Sequence, residues 1–276
     1  MSTVQLGDLT VNRMGFGTMQ LTGPGVWGPP DDPDAAVAVL RRAVDLGVTF
    51  VDTADSYGPG DSEDLLRRAL HPYPEDLVIA TKAGMVRPAP GEWAPMGHPA
   101  YLRQCVELSL RRLHLEQLPL LQLHRVDQAV PLADQLGELT KMQAEGKIRH
   151  IGLSEVPLAL LEEAQQLAPI VSVQNIYNAG LRHHDEVVDR CEADGVVFLP
   201  FFPLGAGELL ADERLRAAAT EVDATPAQLA LAWLLRRSPA IAVIPGTSSL
   251  AHLEENVAAV DLELSEETYE ALSQLA

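Results

Sequence analysis

Val48-Thr49-Phe50-Val51-Asp52, followed by the helical stretch Ser62–Leu70 and then by Leu77-Val78-Ile79-Ala80-Thr81-Lys82, carries the pattern that decides the fold. Both flanking runs are short, apolar and rich in β-branched residues, which marks them as strands. A helix-length segment between two such runs implies parallel strands joined by a right-handed crossover. The same alternation extends outward in both directions. Strands are expected at Arg13–Gly17, Val48–Asp52, Leu77–Lys82, Leu118–His124, Ile148–Leu153, Ile170–Gln174, Val196–Phe201 and Ala240–Ile244. Helices are expected at Pro33–Leu46, Ser62–Leu70, Pro99–Leu113, Pro131–Glu145, Pro157–Leu167, His184–Ala193 and Thr225–Arg237. In one of them Leu102, Val106, Leu110 and Leu113 share a face opposite Arg103, Glu107 and Arg111, the spacing of an amphipathic helix. Gly47, Gly146 and Gly195 each close a helix before a strand, and Thr225-Pro226 opens one.

Eight such units in one domain spanning residues 1–276 point to the α/β class and a closed (β/α)8 TIM barrel. Val4–Val11, centred on Gly7-Asp8, reads as an N-terminal β-hairpin, and extra helices are expected after the last strand. Met19–Pro33 and Ala83–Pro99 are long loops, carrying Trp27 and Trp93. Both follow strands, so both belong to the carboxyl face of the barrel, where such folds place their sites.

Composition narrows the function. A formal net charge of −19 disfavours nucleic acid, whose phosphates need Lys and Arg, but leaves room for one small anionic ligand. Cys105 and Cys191 show neither metal-type nor redox spacing and read as buried small hydrophobes, with no metal expected. Met1–Gln5 has no basic region or apolar run, and no stretch approaches the roughly 18 apolar residues of a membrane span. A cytoplasmic protein without a membrane partner is expected, and nothing in the sequence fixes an oligomeric state. Arginine is the default cation, lysine occurring only at Lys82, Lys141 and Lys147, so a lysine ending an apolar strand asks for a reason.

The polar residues where the apolar runs stop supply one. The second run ends at Asp52, the third at Lys82 and the fourth at His124, with Tyr57 five residues after Asp52. Singly, Asp52 reads equally as a loop cap, Tyr57 as rim packing and His124 as a satisfied core histidine. On adjacent parallel strands, they and Lys82 make a proton-donating device. A free phenol is a weak acid near neutral pH, a nearby ammonium lowers its pKa, a carboxylate compensates the buried ammonium, and a neutral imidazole positions the substrate oxygen.

At these residues the sequence resembles the aldo-keto reductase superfamily over essentially the whole chain. Arg13-Met14-Gly15-Phe16-Gly17-Thr18-Met19 is similar to the family's opening strand, and Asp52-Thr53-Ala54-Asp55-Ser56-Tyr57-Gly58 to its most specific signature. Ile151-Gly152-Leu153-Ser154 and Gln174-Asn175 resemble the segments that hold the nicotinamide carboxamide. Gly23–Pro30, Phe201–Gly205 and Ile244–Ser249 are most similar to a bacterial branch containing predicted pyridoxal reductases. The resemblance implies a catalytic tetrad of Asp52, Tyr57, Lys82 and His124, with Tyr57 as the acid that completes reduction of a small aldehyde or ketone. It implies NADPH, with NADH less favoured, held by Gly17, Thr18, Met19, Ser154 and Gln174, by Phe201 against the ring, and by Pro203, Leu204 and Gly205 near the pyrophosphate. Gly246, Thr247, Ser248, His252, Glu255 and Asn256 would surround the adenosine and its 2′-phosphate.

The residues agree with a non-Rossmann site. No G-x-G-x-x-G follows a strand, whereas Gly246-Thr247-Ser248-Ser249 precedes a helix whose N-terminus can take phosphate; the serines read alternatively as caps alone. Many relatives carry lysine and arginine where Gly246 and His252 stand, which weakens the electrostatic case for NADPH. Glu155 replaces a common asparagine and either turns from the cofactor or accepts from its amide. Trp27, Trp93, Met96 and Phe202 suggest an aromatic substrate pocket, with pyridoxal the leading candidate; Arg87 and Arg125 either meet an anionic group or are solvated. Two rivals stay open: a lyase using Lys82 as a Schiff-base nucleophile, and a sensor that binds NADPH without catalysis.

Overall fold

The computed structural model describes residues 2–276. β1 (Thr3–Leu6) and β2 (Leu9–Asn12) form an antiparallel hairpin in register Leu6↔Leu9, turning on Gly7-Asp8. Gly7 adopts φ +64°, a left-handed conformation that favours glycine. The barrel wall then begins with β3 (Phe16–Gly17), β4 (Phe50–Asp52) and β5 (Val78–Ala83). A small antiparallel ribbon, β6 (Met85–Val86) and β7 (Ala94–Pro95), structures the second tryptophan loop. The wall resumes with β8 (Leu118–Leu123), β9 (Ile148–Ser154), β10 (Ile170–Gln174) and β11 (Val197–Phe198). These seven strands are parallel neighbours in the order β3-β4-β5-β8-β9-β10-β11.

The eighth stave closes the ring without becoming a continuous strand. Ala240–Ile244 is held by single bridges, Ile241 to Phe198 and Val243 to Met14. The amide of Gly15 donates to the Val243 carbonyl at 2.8 Å, and the amide of Ala242 donates to the Phe198 carbonyl at 3.0 Å. Prolines at 239 and 245 flank this segment, and Pro200 cuts short the expected strand Val196–Phe201, because proline brings no N–H to a ladder. The first expected strand likewise contracts to Phe16–Gly17, with Met14 making a lone bridge.

Helices cover the outside: α1 (Pro33–Asp45), α2 (Asp61–Leu70), α3 (Pro99–Leu113), α4 (Leu132–Ala144), α5 (Leu158–Leu167), α6 (Asp185–Asp194), α7 (Glu213–Glu221), α8 (Pro226–Arg237), α9 (Leu250–Ala258) and α10 (Glu266–Ser273). Thr225 caps α8 through a reciprocal capping box with Gln228, the geometry its Thr-Pro start implies. The helix α7 lies where the sequence pattern signals none, since only Leu215 and Ala219 of it are buried.

The barrel interior divides by polarity. Its amino end is filled by Phe50, Val78, Ala80, Leu120, Val197 and Leu199, against which the hairpin packs Leu6 and Val11. The hairpin therefore plugs that end. Toward the carboxyl end the inward residues become Asp52, Lys82, Gln122 and Gln174, all buried. Buried polar groups on this scale are tolerated only when they satisfy one another.

Candidate active site

They do satisfy one another. The Lys82 ammonium, wholly buried, donates to Asp52 Oδ2 at 2.5 Å, to the Thr53 carbonyl at 2.9 Å and to the Tyr57 phenol oxygen at 3.2 Å. An ammonium has three N–H groups, and all three are used. Gln122 and Gln174 donate to Asp52 Oδ1 at 2.9 and 2.8 Å. Gln122 was not among the expected site residues, although a polar side chain inside the apolar run Leu118–Leu123 is the signal that finds it. The buried pair is thus embedded in amides rather than in hydrocarbon, the condition under which such a pair persists.

Tyr57 and His124 stand above this base. Their rings meet edge-on with centroids 5.9 Å apart. Because the phenol oxygen accepts from Lys82, its own O–H is left to donate elsewhere, and Tyr57 lines the cavity. Burial pushes the Tyr57 phenol above its ordinary pKa, and the Lys82 ammonium pulls it back only partly. This corrects the expectation of a lowered value: the ammonium offsets desolvation without overcoming it. Burial also works against Lys82, but the Asp52 carboxylate and Tyr57 outweigh it and hold the ammonium above its ordinary range. His124 is pushed well below its ordinary value by burial and then by Lys82, Arg125 and Arg87, so it is neutral near pH 7. Its Nδ1 lies 3.1 Å from Ser56 Oγ, a contact the sequence did not announce.

A cavity of about 720 Å3 opens over these groups. Asp52, Tyr57 and His124 line it, whereas Lys82 lies beneath the surface. Of the expected cofactor contacts, Gly17, Met19, Ser154, Gln174, Phe201, Pro203, Leu204 and Gly246 line the cavity. Thr18 does not: its hydroxyl donates to the Asp52 carbonyl at 3.2 Å and accepts from Ser62 at 2.7 Å, so it braces the strand end. Gly205 also lies outside the lining, although its neighbours Leu204 and Ala206 contribute to it. Gln20, Val26, Met85, Pro95, Ala206, Gly207 and Leu210 also line the cavity and were not anticipated.

The substrate-side expectations divide. Trp93 and Arg125 line the cavity, Trp93 with its ring 6.4 Å from that of Tyr57. Trp27 does not, because it lies on the Arg87 guanidinium, 5.7 Å from it. Arg87 is partly exposed, but most of its donors are taken. It donates to the carbonyls of Gly25, Val26, Ser56 and Glu92 at 2.8 to 2.9 Å and stacks 3.5 Å from the Trp93 ring. It therefore ties both tryptophan loops to the signature loop. Glu155 turns away: its carboxylate accepts from the Ile176 amide at 2.7 Å. Asn175 likewise braces the backbone, exchanging hydrogen bonds with Val156.

At the eighth stave, the backbones of Gly17 and Gly246 approach so closely that a Cβ on Gly246 would meet the Gly17 carbonyl oxygen at 2.6 Å. The lysine of many relatives is sterically excluded here. Thr247 is buried, while Ser248 and His252 are exposed at the start of α9. Ser249 caps that helix, accepting from the His252 amide at 3.4 Å. Glu255 is engaged with the Thr225 hydroxyl at 2.5 Å, and Asn256 is buried. None of Thr247, Ser248, His252, Glu255 or Asn256 reaches the cavity over Tyr57. Among the described residues, no cluster of His, Cys, Asp and Glu can hold a metal ion, and no helix is long and apolar enough to cross a membrane.

Comparison with known proteins matches residues 13–276 to the aldo/keto reductase family. The chain is 49% identical over 273 residues to an uncharacterized oxidoreductase of Schizosaccharomyces pombe, covering 99% of this chain and 89% of that one. It is 45% identical over 281 residues to pyridoxine 4-dehydrogenase of Escherichia coli, covering 100% and 98%. Its structure resembles that of an aldo/keto reductase from Klebsiella pneumoniae in complex with NADP and acetate, at TM-score 0.85 and 28% identity, covering 99% and 94%. The chain is an oxidoreductase and belongs to the aldo/keto reductase family.

Proposed function

We propose that this protein reduces a small aldehyde or ketone to the alcohol, using NADPH as the hydride source and Tyr57 as the proton donor. The observation that carries the reading is the Lys82 ammonium with all three N–H groups spent, one of them on the phenol oxygen. That arrangement leaves the phenol hydrogen directed to a partner outside the buried pair and places a cation beside the phenolate charge that develops as the proton leaves. When bound, the nicotinamide supplies the hydride. Phe201 would stack on its ring, while Ser154 and Gln174 would meet its carboxamide. The fit rests on this structure: Gln174 spends its amide nitrogen on Asp52, which leaves its carbonyl oxygen as an acceptor. Gly17 and Gly246 let two backbone segments pack closely where both line the cavity.

Neutral His124 orients the substrate oxygen toward the Tyr57 hydroxyl, and the aromatic wall of Trp93 and Phe202 excludes water. Pyridoxal, reduced to pyridoxine, is the leading substrate, in keeping with the name of the Escherichia coli relative. NADPH is favoured over NADH because the Klebsiella structure holds NADP. The Schiff-base reading is disfavoured by Lys82 itself, which is buried, charged and without a free N–H. The test is oxidation of NADPH, with NADH in parallel, against pyridoxal, aromatic aldehydes and ketones. Turnover with pyridoxal supports the reading; tight NADPH binding with no carbonyl reduced would favour the sensor instead.

A further inference from the structure

Arg125 directly follows His124 and lines the same cavity half-buried. One of its terminal nitrogens, Nη1, donates to the His124 carbonyl at 2.7 Å and to Ser154 Oγ at 3.0 Å. Its other nitrogens make no hydrogen bond among the described residues. Most arginines of this acidic chain, such as Arg103, Arg112 and Arg190, lie against a carboxylate. Arg125 has none within 4.0 Å. Arg87, the other guanidinium beside the site, spends its donors on four carbonyl oxygens, and Lys82 spends all of its own. The cavity wall therefore holds one guanidinium with two nitrogens unspent and no carboxylate in contact, Glu155 acting on it only through space while its own oxygen is taken by the Ile176 amide. A guanidinium so placed matches a planar oxyanion, which it can bind through two parallel N–H groups. The Phe201 ring lies 5.7 Å from the guanidinium, and Trp93, Met85 and Phe202 bring apolar side chains to the same cavity, a lining suited to a flat ring.

We infer that Arg125 selects aromatic carbonyl compounds bearing an ionised oxygen, a phenolate or a carboxylate, near the reacting group. The inference rests on the reductase reading above and names the substrate class it serves. Its test uses two matched pairs at saturating NADPH: 3-formylbenzoate with its methyl ester, and pyridoxal with its 3-O-methyl ether. The first pair probes a carboxylate and the second a phenolate. The wild-type protein is expected to prefer the ionised member of at least one pair by about 10- to 100-fold in kcat/KM, the scale of one charge-assisted hydrogen bond. Arg125→Met should erase that preference while NADPH affinity moves by less than about twofold, and Arg125→Lys should restore part of it. Equal kcat/KM within both wild-type pairs, or a preference that survives in Arg125→Met, would overturn the inference while leaving the reductase reading intact. So would a defect confined to NADPH affinity, which would assign Arg125 to the cofactor. Reduction of none of the four compounds would remove the reading beneath it.

Discussion

Replacing Lys82 by methionine removes the one cation that touches both Asp52 and Tyr57. The position is fully buried, and methionine retains most of the apolar stem, so the change is chiefly loss of the ammonium. Two consequences separate. Asp52 keeps Gln122 and Gln174 on one oxygen but loses its partner on the other. Stranding a buried carboxylate costs about 3–5 kcal/mol, which at roughly 2 °C for each kcal/mol in a chain of this size lowers the melting midpoint by about 6–10 °C. The phenol also loses a charge-assisted donor worth about 1.5–3 kcal/mol, a factor of about 10–100 in turnover. Adding Asp52→Asn to Lys82→Met removes the stranded charge, so the double variant should recover most of the stability and none of the rate. Thermal unfolding and single-turnover NADPH oxidation read the two effects apart. A single variant as stable as wild type, or one turning over within about twofold of it, would contradict these roles of the ammonium.

Three further outcomes follow from the same geometry. Ser56→Ala frees the His124 ring, and kcat/KM for the carbonyl should fall by about 2- to 10-fold with NADPH affinity unmoved, as steady-state kinetics and cofactor titration will show. Gly246→Lys drives a Cβ into the Gly17 carbonyl, so it should lower the melting midpoint and weaken NADPH binding rather than improve it; tighter binding would contradict the steric account. Asp55 is pushed up to about 7 by burial and by Glu63, from 3.8. Between those values the folded chain holds a proton that the unfolded chain has lost, so this group increasingly disfavours folding as pH rises and levels off above about pH 7. Wild-type stability relative to Asp55→Asn should therefore fall by up to about 4 kcal/mol from pH 4 to 8, measured by denaturant unfolding, and a flat difference would exclude the shifted carboxyl.

The alternation of runs such as Val48–Asp52 and Leu77–Lys82 with helical stretches made the barrel legible, because a parallel strand and its crossover helix each carry their own period. The residues at strand ends were legible for a related reason: a polar side chain ending an apolar run has nowhere to point but the rim. What sequence could not show were contacts made across distant segments. Arg87 reads from sequence as either an anion partner or a solvated cation, and only the folding of three segments around it reveals four carbonyls in reach. Trp27 shared a long loop with the cavity wall yet turned onto Arg87. The phenol's raised pKa was missed because pairing with Lys82 was weighed without the burial that makes the pairing close. Pro239 and Pro245 did announce the discontinuous eighth stave, had they been read as limits on a ladder.

Substituting Tyr57 by phenylalanine deletes the hydroxyl and leaves the ring against Trp93 and His124. NADPH oxidation with pyridoxal should then drop by at least about 100-fold while the Kd for NADPH stays within about twofold of wild type. Near-normal turnover by that variant would contradict the assignment of the proton to Tyr57, and with it the chemistry built on Lys82.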